Sequence, residues 1–171
     1  LEAQLKSDKQ LWVKWINPDS IHLTLKFLGN IAIDRTGEIT RAMEEAAQTA
    51  PPFYLEVKDL GAFPNLKRVQ VVWTGISGEV DKLGQLQQRI ESNLERLGFA
   101  PESRPFTSHL TLARLRNQAS SDERQRLGQL IADTRFQAGT FKIDAISLMR
   151  SQLTREGAIY SRISSVRLKS P

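Results

Sequence analysis

The two histidines of this chain each begin the same tetrapeptide, His-Leu-Thr-Leu. The copies occupy residues 22–25 and 109–112. The Leu and Thr content gives a probability of about 10⁻³ that one His is followed by Leu-Thr-Leu, and of about 10⁻⁶ that both are. The repeat therefore indicates two halves that place His and Thr in equivalent settings.

Side-chain alternation along a strand sorts each tetrapeptide into two faces. His22 and Thr24 point to one face and the leucines to the other, and His109 and Thr111 repeat this arrangement. If the halves pack about a pseudo-twofold axis, two imidazoles and two hydroxyls meet in one groove. One imidazole can then accept a proton while the other donates one, and hydroxyls can hold an anion. This set suits a phosphodiester, whose hydrolysis needs a base for water and an acid for the leaving oxygen.

Other chemistries fit these residues less well. The repeat disfavours the interpretation in which each His is only a strand residue satisfied by its neighbours. Catalytic zinc normally has about three protein ligands, whereas the motifs supply two imidazoles and the chain has no Cys. No G-x-S-x-G elbow and no P-loop occurs. We expect an enzyme without metal or cofactor, with a non-catalytic nucleotide- or RNA-binding module as the alternative.

The composition bounds the class of protein. The chain has 171 residues, of which 40% are apolar and 25% charged, as in globular domains. The absence of Cys excludes disulfides and thiolate metal sites. No apolar run approaches the ~20 residues that span a bilayer, and no leader opens the sequence, so we expect a cytoplasmic monomer without a membrane partner. The net charge of +5 favours a polyanionic partner.

The elements that must position the motifs are interleaved strands and helices. Strands are predicted at residues 12–16, 21–28, 53–57, 69–73, 106–115, 141–149 and 159–168. Helices are predicted over residues 1–10, after a cap at Asp34, along the apolar face from Leu83 to Leu97, and after Ser120. Residues 61–65 are predicted to form a loop, and Trp12, Trp15 and Trp73 to lie in the core. We expect an α/β or α+β domain of two related halves, each too small to bury a core alone.

The motifs resemble a known family. The resemblance is carried by His22-Leu-Thr-Leu-Lys-Phe-Leu-Gly29, Gly61-Ala-Phe-Pro64, Ser108-His-Leu-Thr-Leu-Ala-Arg114, Ser151-Gln-Leu-Thr154, Gly157 and Tyr160. These segments are similar to those of the RNA 2',3'-cyclic phosphodiesterases, formerly called 2'-5' RNA ligases, of the two-histidine phosphoesterase superfamily. The similarity extends from about residue 12 to residue 168.

The resemblance implies one two-lobed domain over residues 1–171, of two pseudo-symmetric halves. Mixed or antiparallel sheets would flank a central groove, with helices outside. It implies metal-free hydrolysis of 2',3'-cyclic phosphate ends of RNA, tRNA fragments among them, or of nucleotides, to 2'-phosphates, with reverse 2'-5' ligation as a secondary activity. The family's first strand, beside the groove, is expected to be absent here.

The resemblance also implies a role for each residue of the two motifs. His109 would activate water, and His22 would protonate the departing 3' oxygen. Thr24 and Thr111 would hold the phosphate. Because the halves are alike, the spacing by itself does not separate the acid from the base.

Four further residues are candidate substrate contacts, each with a structural alternative. Arg114 contacts phosphate or ribose if a bulge returns it to the imidazole face, and otherwise forms a surface ion pair. Lys26 shares the face of the first motif, although a solvated Lys is the commoner state. Phe63 stacks on a base or fills the core. Tyr160 donates a hydrogen bond to a ribose or completes an amphipathic strand.

Overall fold

A computed structural model of the chain describes residues 13–154 and 157–169. The elements in these ranges are, in chain order, β1 (Val13–Trp15), α1 (Thr36–Ala47), β2 (Phe53–Phe63), β3 (Val71–Gly78), α2 (Val80–Glu95), β4 (His109–Leu115), α3 (Ser121–Asp133), β5 (Gln137–Ile143), β6 (Ala145–Thr154) and β7 (Gly157–Arg167). Five strands form a sheet in the order β1-β4-β3-β2-β5, and β6 pairs with β7 in a second sheet. The predicted α+β class is confirmed.

The chain divides into two compact units. Unit 1 consists of residues 13–24, Glu56–Ser77 and Ser108–Thr140, and unit 2 consists of Leu25–Leu55, Gly78–Thr107 and residues 141–154 and 157–169. Both His-x-Thr triplets fall in unit 1. The arrangement of the whole chain as one two-lobed domain stays a prediction. The helix predicted over residues 1–10, the core position of Trp12 and the expected loss of a first strand concern residues outside the described ranges.

Unit 1 has an apolar core against which α3 packs. Its buried members are Ala62, Val69, Val72, Ala113, Leu127 and Ile131, with Val13, Trp15, Leu60 and Leu115 packed against them. The helix α3 begins with a capping box, in which the Ser120 hydroxyl accepts from the backbone N–H of Glu123 and the Glu123 carboxylate accepts from the backbone N–H of Ser120 at 2.7 Å. The helix predicted after Ser120 is confirmed, as is the core position of Trp15.

Unit 2 is built on the packing of α1 against α2 and against β7. The buried side chains of the two helices include Ile39, Met43, Ala46, Ala47, Leu83, Leu86, Ile90 and Leu94. They recur at intervals of three and four residues, which is the spacing that places them on one helix face. The second sheet contributes Ile146, Leu148 and Val166, and Leu168, which directly follows β7, is buried as well. In the described ranges, no helix is long and apolar enough to cross a membrane.

Three local predictions of secondary structure are wrong. Residues 21–28 do not form a strand, because the chain passes from unit 1 to unit 2 after Thr24 and only Leu23 makes a ladder pairing. Asp34 lies in a 3₁₀ turn, Ile33–Arg35, and does not cap α1, whose N-cap is Arg35 without a side-chain hydrogen bond. The strand predicted at 141–149 is interrupted at Asp144, where the chain leaves the first sheet for the second.

The segment predicted as a Gly- and Pro-rich loop is a strand over most of its length. Gly61, Ala62 and Phe63 complete β2, and the chain leaves the sheet at Pro64, after a cis peptide bond. Gly61 serves close packing rather than a turn, because a Cβ built on it would overlap the ring of Trp73.

Candidate active site

The two His-Leu-Thr triplets lie in unit 1 and are joined by one bridge. Leu23 forms an isolated antiparallel bridge with Leu110, the second residue of each tetrapeptide. Continuing this register by one residue in each direction sets the following pairs opposite one another: His22 with Thr111, and Thr24 with His109. Opposite side chains share a face with Cβ atoms about 5 Å apart, and diagonal ones are about 7–8 Å apart. In such a continued register the two imidazoles would lie on one diagonal of a four-residue square and the two hydroxyls on the other.

The pairing of β3 with β4 shows which face of the sheet carries His109 and Thr111. In β3, Trp73 pairs with Thr111, so these side chains point to the same side of the sheet. Val72 and Thr74 alternate with Trp73 and are buried on the opposite side. On β4, His109 and Thr111 thus project away from the apolar core of unit 1.

A bulge in β4 brings Arg114 onto the same face. Val72 pairs with Ala113 and Trp73 pairs with Thr111, which leaves Leu112 as an extra residue on β4. Leu112 and Ala113 are both buried, as expected where an inserted residue interrupts the alternation of side chains. Arg114 then follows on the imidazole side and is exposed. The sequence predicts a substrate contact for Arg114 only if a bulge turns it to the imidazole face, and that bulge is present.

Arg114 also lines a small polar cavity. The cavity has a volume of ≈ 250 Å³, and its other lining residues are Gln70, Val71, Leu115, Asn117 and Arg124. The guanidinium of Arg124 donates to the carbonyl oxygens of residues 69, 116 and 119. The Arg124 guanidinium thus binds α3 to the strands, whereas the register places Arg114 on the imidazole face of β4.

A turn in front of the first motif orients His22. The chain forms a 3₁₀ turn over Pro18–Ser20, capped by the Asn17 side chain, which accepts from the backbone N–H of Asp19 at 3.1 Å. The Nδ1 of His22 lies 2.7 Å from the carbonyl oxygen of Ser20. A carbonyl oxygen only accepts, so Nδ1 carries the proton. Nε2 is therefore the nitrogen that gains and loses a proton, and the His22 side chain is exposed.

Aromatic rings surround part of the half-buried His109. The Phe63 ring lies 5.0 Å from the imidazole, centroid to centroid, at 83°. The Trp73 ring lies 6.3 Å from it and 5.3 Å from Phe63. Phe63, proposed as a stacking platform or a core residue, thus packs edge-to-face on His109. The prediction that Trp73 is a core residue is wrong, because the register turns its indole to the imidazole side.

The indole nitrogen of Trp73 is the one buried side-chain polar atom in the described ranges that lacks a hydrogen-bond partner. Leaving a buried donor unpaired costs about 1–3 kcal/mol. Trp73 was not selected from the sequence as a site residue. The signal that could have found it is Gly61, since a glycine inside a strand often marks the close approach of another group.

Lys26 and Tyr160 lie in unit 2. The ammonium of Lys26 is 2.5 Å from the Glu91 carboxylate and donates to the carbonyl oxygen of Ala100 at 2.9 Å. Its side chain is 6% exposed, so the prediction of a solvated Lys is wrong, and the ammonium is directed to Glu91 rather than offered to an anion. Tyr160 lies on β7 opposite Ser151 and is half-buried. Its contact with a ribose stays a prediction.

Two carboxyl groups with shifted pKa values lie at helix starts. Hydrogen bonds from the backbone N–H and then the hydroxyl of Ser120 lower the pKa of Glu123. The hydrogen bond from Lys82 lowers the pKa of Glu79, and the backbone N–H of Tyr54 adds to the effect. Within residues 13–154 and 157–169, no group of three or more His, Cys, Asp or Glu side chains is placed to hold a metal ion.

Solved structures of similar proteins share this fold. TT0787 of Thermus thermophilus matches with a TM-score of 0.79 at 24% identity, covering 98% of this chain and 88% of that one. E. coli LigT complexed with 3'-AMP matches with a TM-score of 0.70 at 25% identity, covering 93% of this chain and 83% of that one.

Sequence comparison gives the family. The RNA 2',3'-cyclic phosphodiesterase of Aquifex aeolicus is 32% identical over 156 residues, covering 90% of this chain and 81% of the relative. The protein of the same name from Methanothermobacter thermautotrophicus is 30% identical over 157 residues, covering 91% of this chain and 83% of the relative. The family model described as the 2'-5' RNA ligase superfamily matches residues 4–155. The resemblance drawn from the duplicated motifs is thereby confirmed, and the chain belongs to the 2'-5' RNA ligase superfamily.

Proposed function

We propose that this protein hydrolyses 2',3'-cyclic phosphate ends of RNA or nucleotides to 2'-phosphates, using its two histidines as an acid-base pair. The observation that carries the proposal is the bridge between Leu23 and Leu110, because it sets two identical motifs against each other on one face. The names of the relatives support the substrate class. The 3'-AMP bound to LigT supports a nucleotide ligand.

The proposed reaction moves two protons in opposite directions. His109 takes a proton from water as the water oxygen attacks phosphorus, and the bond between phosphorus and the 3' oxygen breaks. His22 gives its Nε2 proton to that 3' oxygen, which leaves a 3'-hydroxyl and a 2'-phosphate. The hydrogen bond from His22 Nδ1 to the Ser20 carbonyl supports proton transfer at Nε2, and the assignment of His22 as the acid follows the family resemblance. Exchange with solvent returns both imidazoles to their starting states.

The remaining groups of the face bind the anion in this proposal. Thr24 and Thr111 donate hydrogen bonds to the non-bridging oxygens from the other diagonal of the square. Arg114 lies on the same face of β4 and adds a full positive charge toward the phosphate. Charge-assisted hydrogen bonds to developing negative charge are the strongest contribution of this kind. Reverse 2'-5' ligation uses the same groups, and the concentration of water makes hydrolysis the favoured direction.

The test is the product formed from a 2',3'-cyclic nucleotide by protein treated with a chelator. We expect the 2'-phosphate, and a 3'-phosphate product would overturn the assigned leaving group. His22→Gln and His109→Gln should each lower kcat by about 10²–10⁴-fold with the melting temperature unchanged. Arg114→Met should raise KM or lower kcat, whereas Arg126→Met, on the exposed side of α3, is the matched control and should do neither. Saturable binding without turnover by the unaltered protein would favour the binding module.

A further inference from the structure

We propose that Trp73 is a positioning residue for His109 and that Gly61 provides the space in which its indole lies. The inference rests on the proposed function, since it assigns Trp73 a part in keeping the base of that reaction in place. It concerns a residue that the two motifs do not contain.

The indole of Trp73 packs against the backbone of β2 at Gly61. A Cβ built on Gly61 would overlap the six-membered ring of Trp73, so the ring rests directly on the glycine. Any other residue at this position would displace the indole. Gly61 is itself buried, and together with Trp73 it lines a cavity of ≈ 560 Å³.

The same indole also lies close to Phe63 and His109. The indole contacts the Phe63 ring at 5.3 Å, and Phe63 meets the imidazole edge-to-face at 5.0 Å. The indole is also 6.3 Å from the imidazole. Both pairs with His109 are edge-to-face and the Phe63–Trp73 pair is tilted at 34°, and ring pairs at such separations attract each other in offset or edge-to-face arrangements. Together the two aromatic side chains restrict the rotamers that are open to His109.

The choice of Trp at this position needs an explanation beyond the filling of space. Its indole N–H is buried and has no partner in the described part of the chain, whereas Phe would bury a similar ring without an unpaired donor. Unsatisfied buried groups are uncommon in folded proteins. The larger ring spans the distance from Gly61 to both Phe63 and His109, and that reach accounts for its presence.

A base must be held to a fraction of an ångström from its proton donor for efficient transfer. Displacement of a catalytic group by about 1 Å costs on the order of 10²-fold in rate. A side chain that restrains the imidazole acts on kcat more than on KM, because the phosphate is bound by other groups. Trp73→Leu should therefore lower kcat about 10- to 100-fold and change KM by less than about threefold.

The variants separate positioning from general loss of stability. Trp73→Phe keeps an aromatic ring on Gly61 but shortens its reach toward His109, so its kcat should lie between those of Trp73→Leu and of the unaltered protein. Trp15→Leu removes the same side chain from the core of unit 1 and is the matched control, which should lower the melting temperature with kcat unchanged. Gly61→Ala keeps Trp73 but displaces its ring, and it should reproduce the loss of kcat seen with Trp73→Leu. If Trp73→Leu and Gly61→Ala both retain full kcat, the proposal is wrong.

A second readout does not depend on activity. The chain has two His, so its histidine ring protons give two sets of NMR signals, which His22→Gln assigns. Trp73→Leu should shift the His109 signals and leave those of His22 in place, because the ring current of the indole acts over a few ångströms. Unchanged His109 signals would overturn the proposal. Lack of turnover by the unaltered protein would instead overturn the proposed function, and the NMR comparison would still test the contact.

Discussion

Replacement of Lys26 by Met tests whether this cation stabilises the fold or binds substrate. The ammonium forms an ion pair with Glu91 and a hydrogen bond with the Ala100 carbonyl, and the two charged side chains are 6% and 18% exposed. Removal of one partner of a buried pair costs about 3–5 kcal/mol, because the other charge is left behind. Glu91 still accepts the backbone N–H of Glu102 at 2.7 Å, which places the expected loss near the lower limit, at about 3 kcal/mol.

The assay is urea denaturation together with steady-state kinetics below the transition. A loss of about 3 kcal/mol corresponds to a decrease of about 6–12 °C in melting temperature for a chain of this length. Glu91→Met alone should be similarly destabilising, since Lys26 is then unpaired. The double variant should be more stable than either single variant, with a coupling energy of about 1–3 kcal/mol. The reasoning is refuted if Lys26→Met lowers kcat/KM while the free energy of unfolding is unchanged.

Two further predictions concern the helices. A Cβ on Gly128 in α3 would overlap the Leu66 carbonyl oxygen, whereas Gly84 in α2 has nothing within 4 Å. Gly128→Ala should therefore lower the free energy of unfolding by about 1–3 kcal/mol, whereas Gly84→Ala should raise it by about 0.5–1 kcal/mol. Urea denaturation measures both changes, and equal effects of the two substitutions would contradict the packing described. Hydrogen bonds from Ser120 lower the pKa of Glu123 from 4.5, so this group stabilises the fold above pH 4.5 and the stabilisation is lost as the pH falls through the lowered value. Titration of Glu123 by NMR should show a pKa below 4.5 that rises only in part in Ser120→Ala, because the hydroxyl is lost while the backbone N–H of residue 120 still donates. A pKa unaffected by that substitution would contradict the hydrogen bond from the Ser120 hydroxyl to the carboxylate.

The sequence predicted helices better than strands. The apolar residues of α1 and α2 recur at short, regular intervals, so the buried face of each helix can be read without knowing what covers it. The strand at residues 21–28 failed because an alternating segment becomes a strand only if a neighbour pairs with it. Within residues 21–28, only Leu23 pairs with β4. The prediction of a loop at Gly61 was wrong because a glycine in a sequence is compatible both with a turn and with the close approach of another side chain to a strand.

The sequence by itself placed His109 and Thr111 on one face of a strand, because strand alternation is a local property, and the repeat marked His22 and Thr24 as their counterparts. Only the tertiary structure decided that the two copies are adjacent, since this depends on one bridge between segments far apart in the chain. The same holds for the bulge that turns Arg114 to the imidazole face, for the indole that lies beside His109, and for the carboxylate that binds Lys26. Each of these depends on the register between elements, and register is set by the packing of the whole unit rather than by any short stretch of residues.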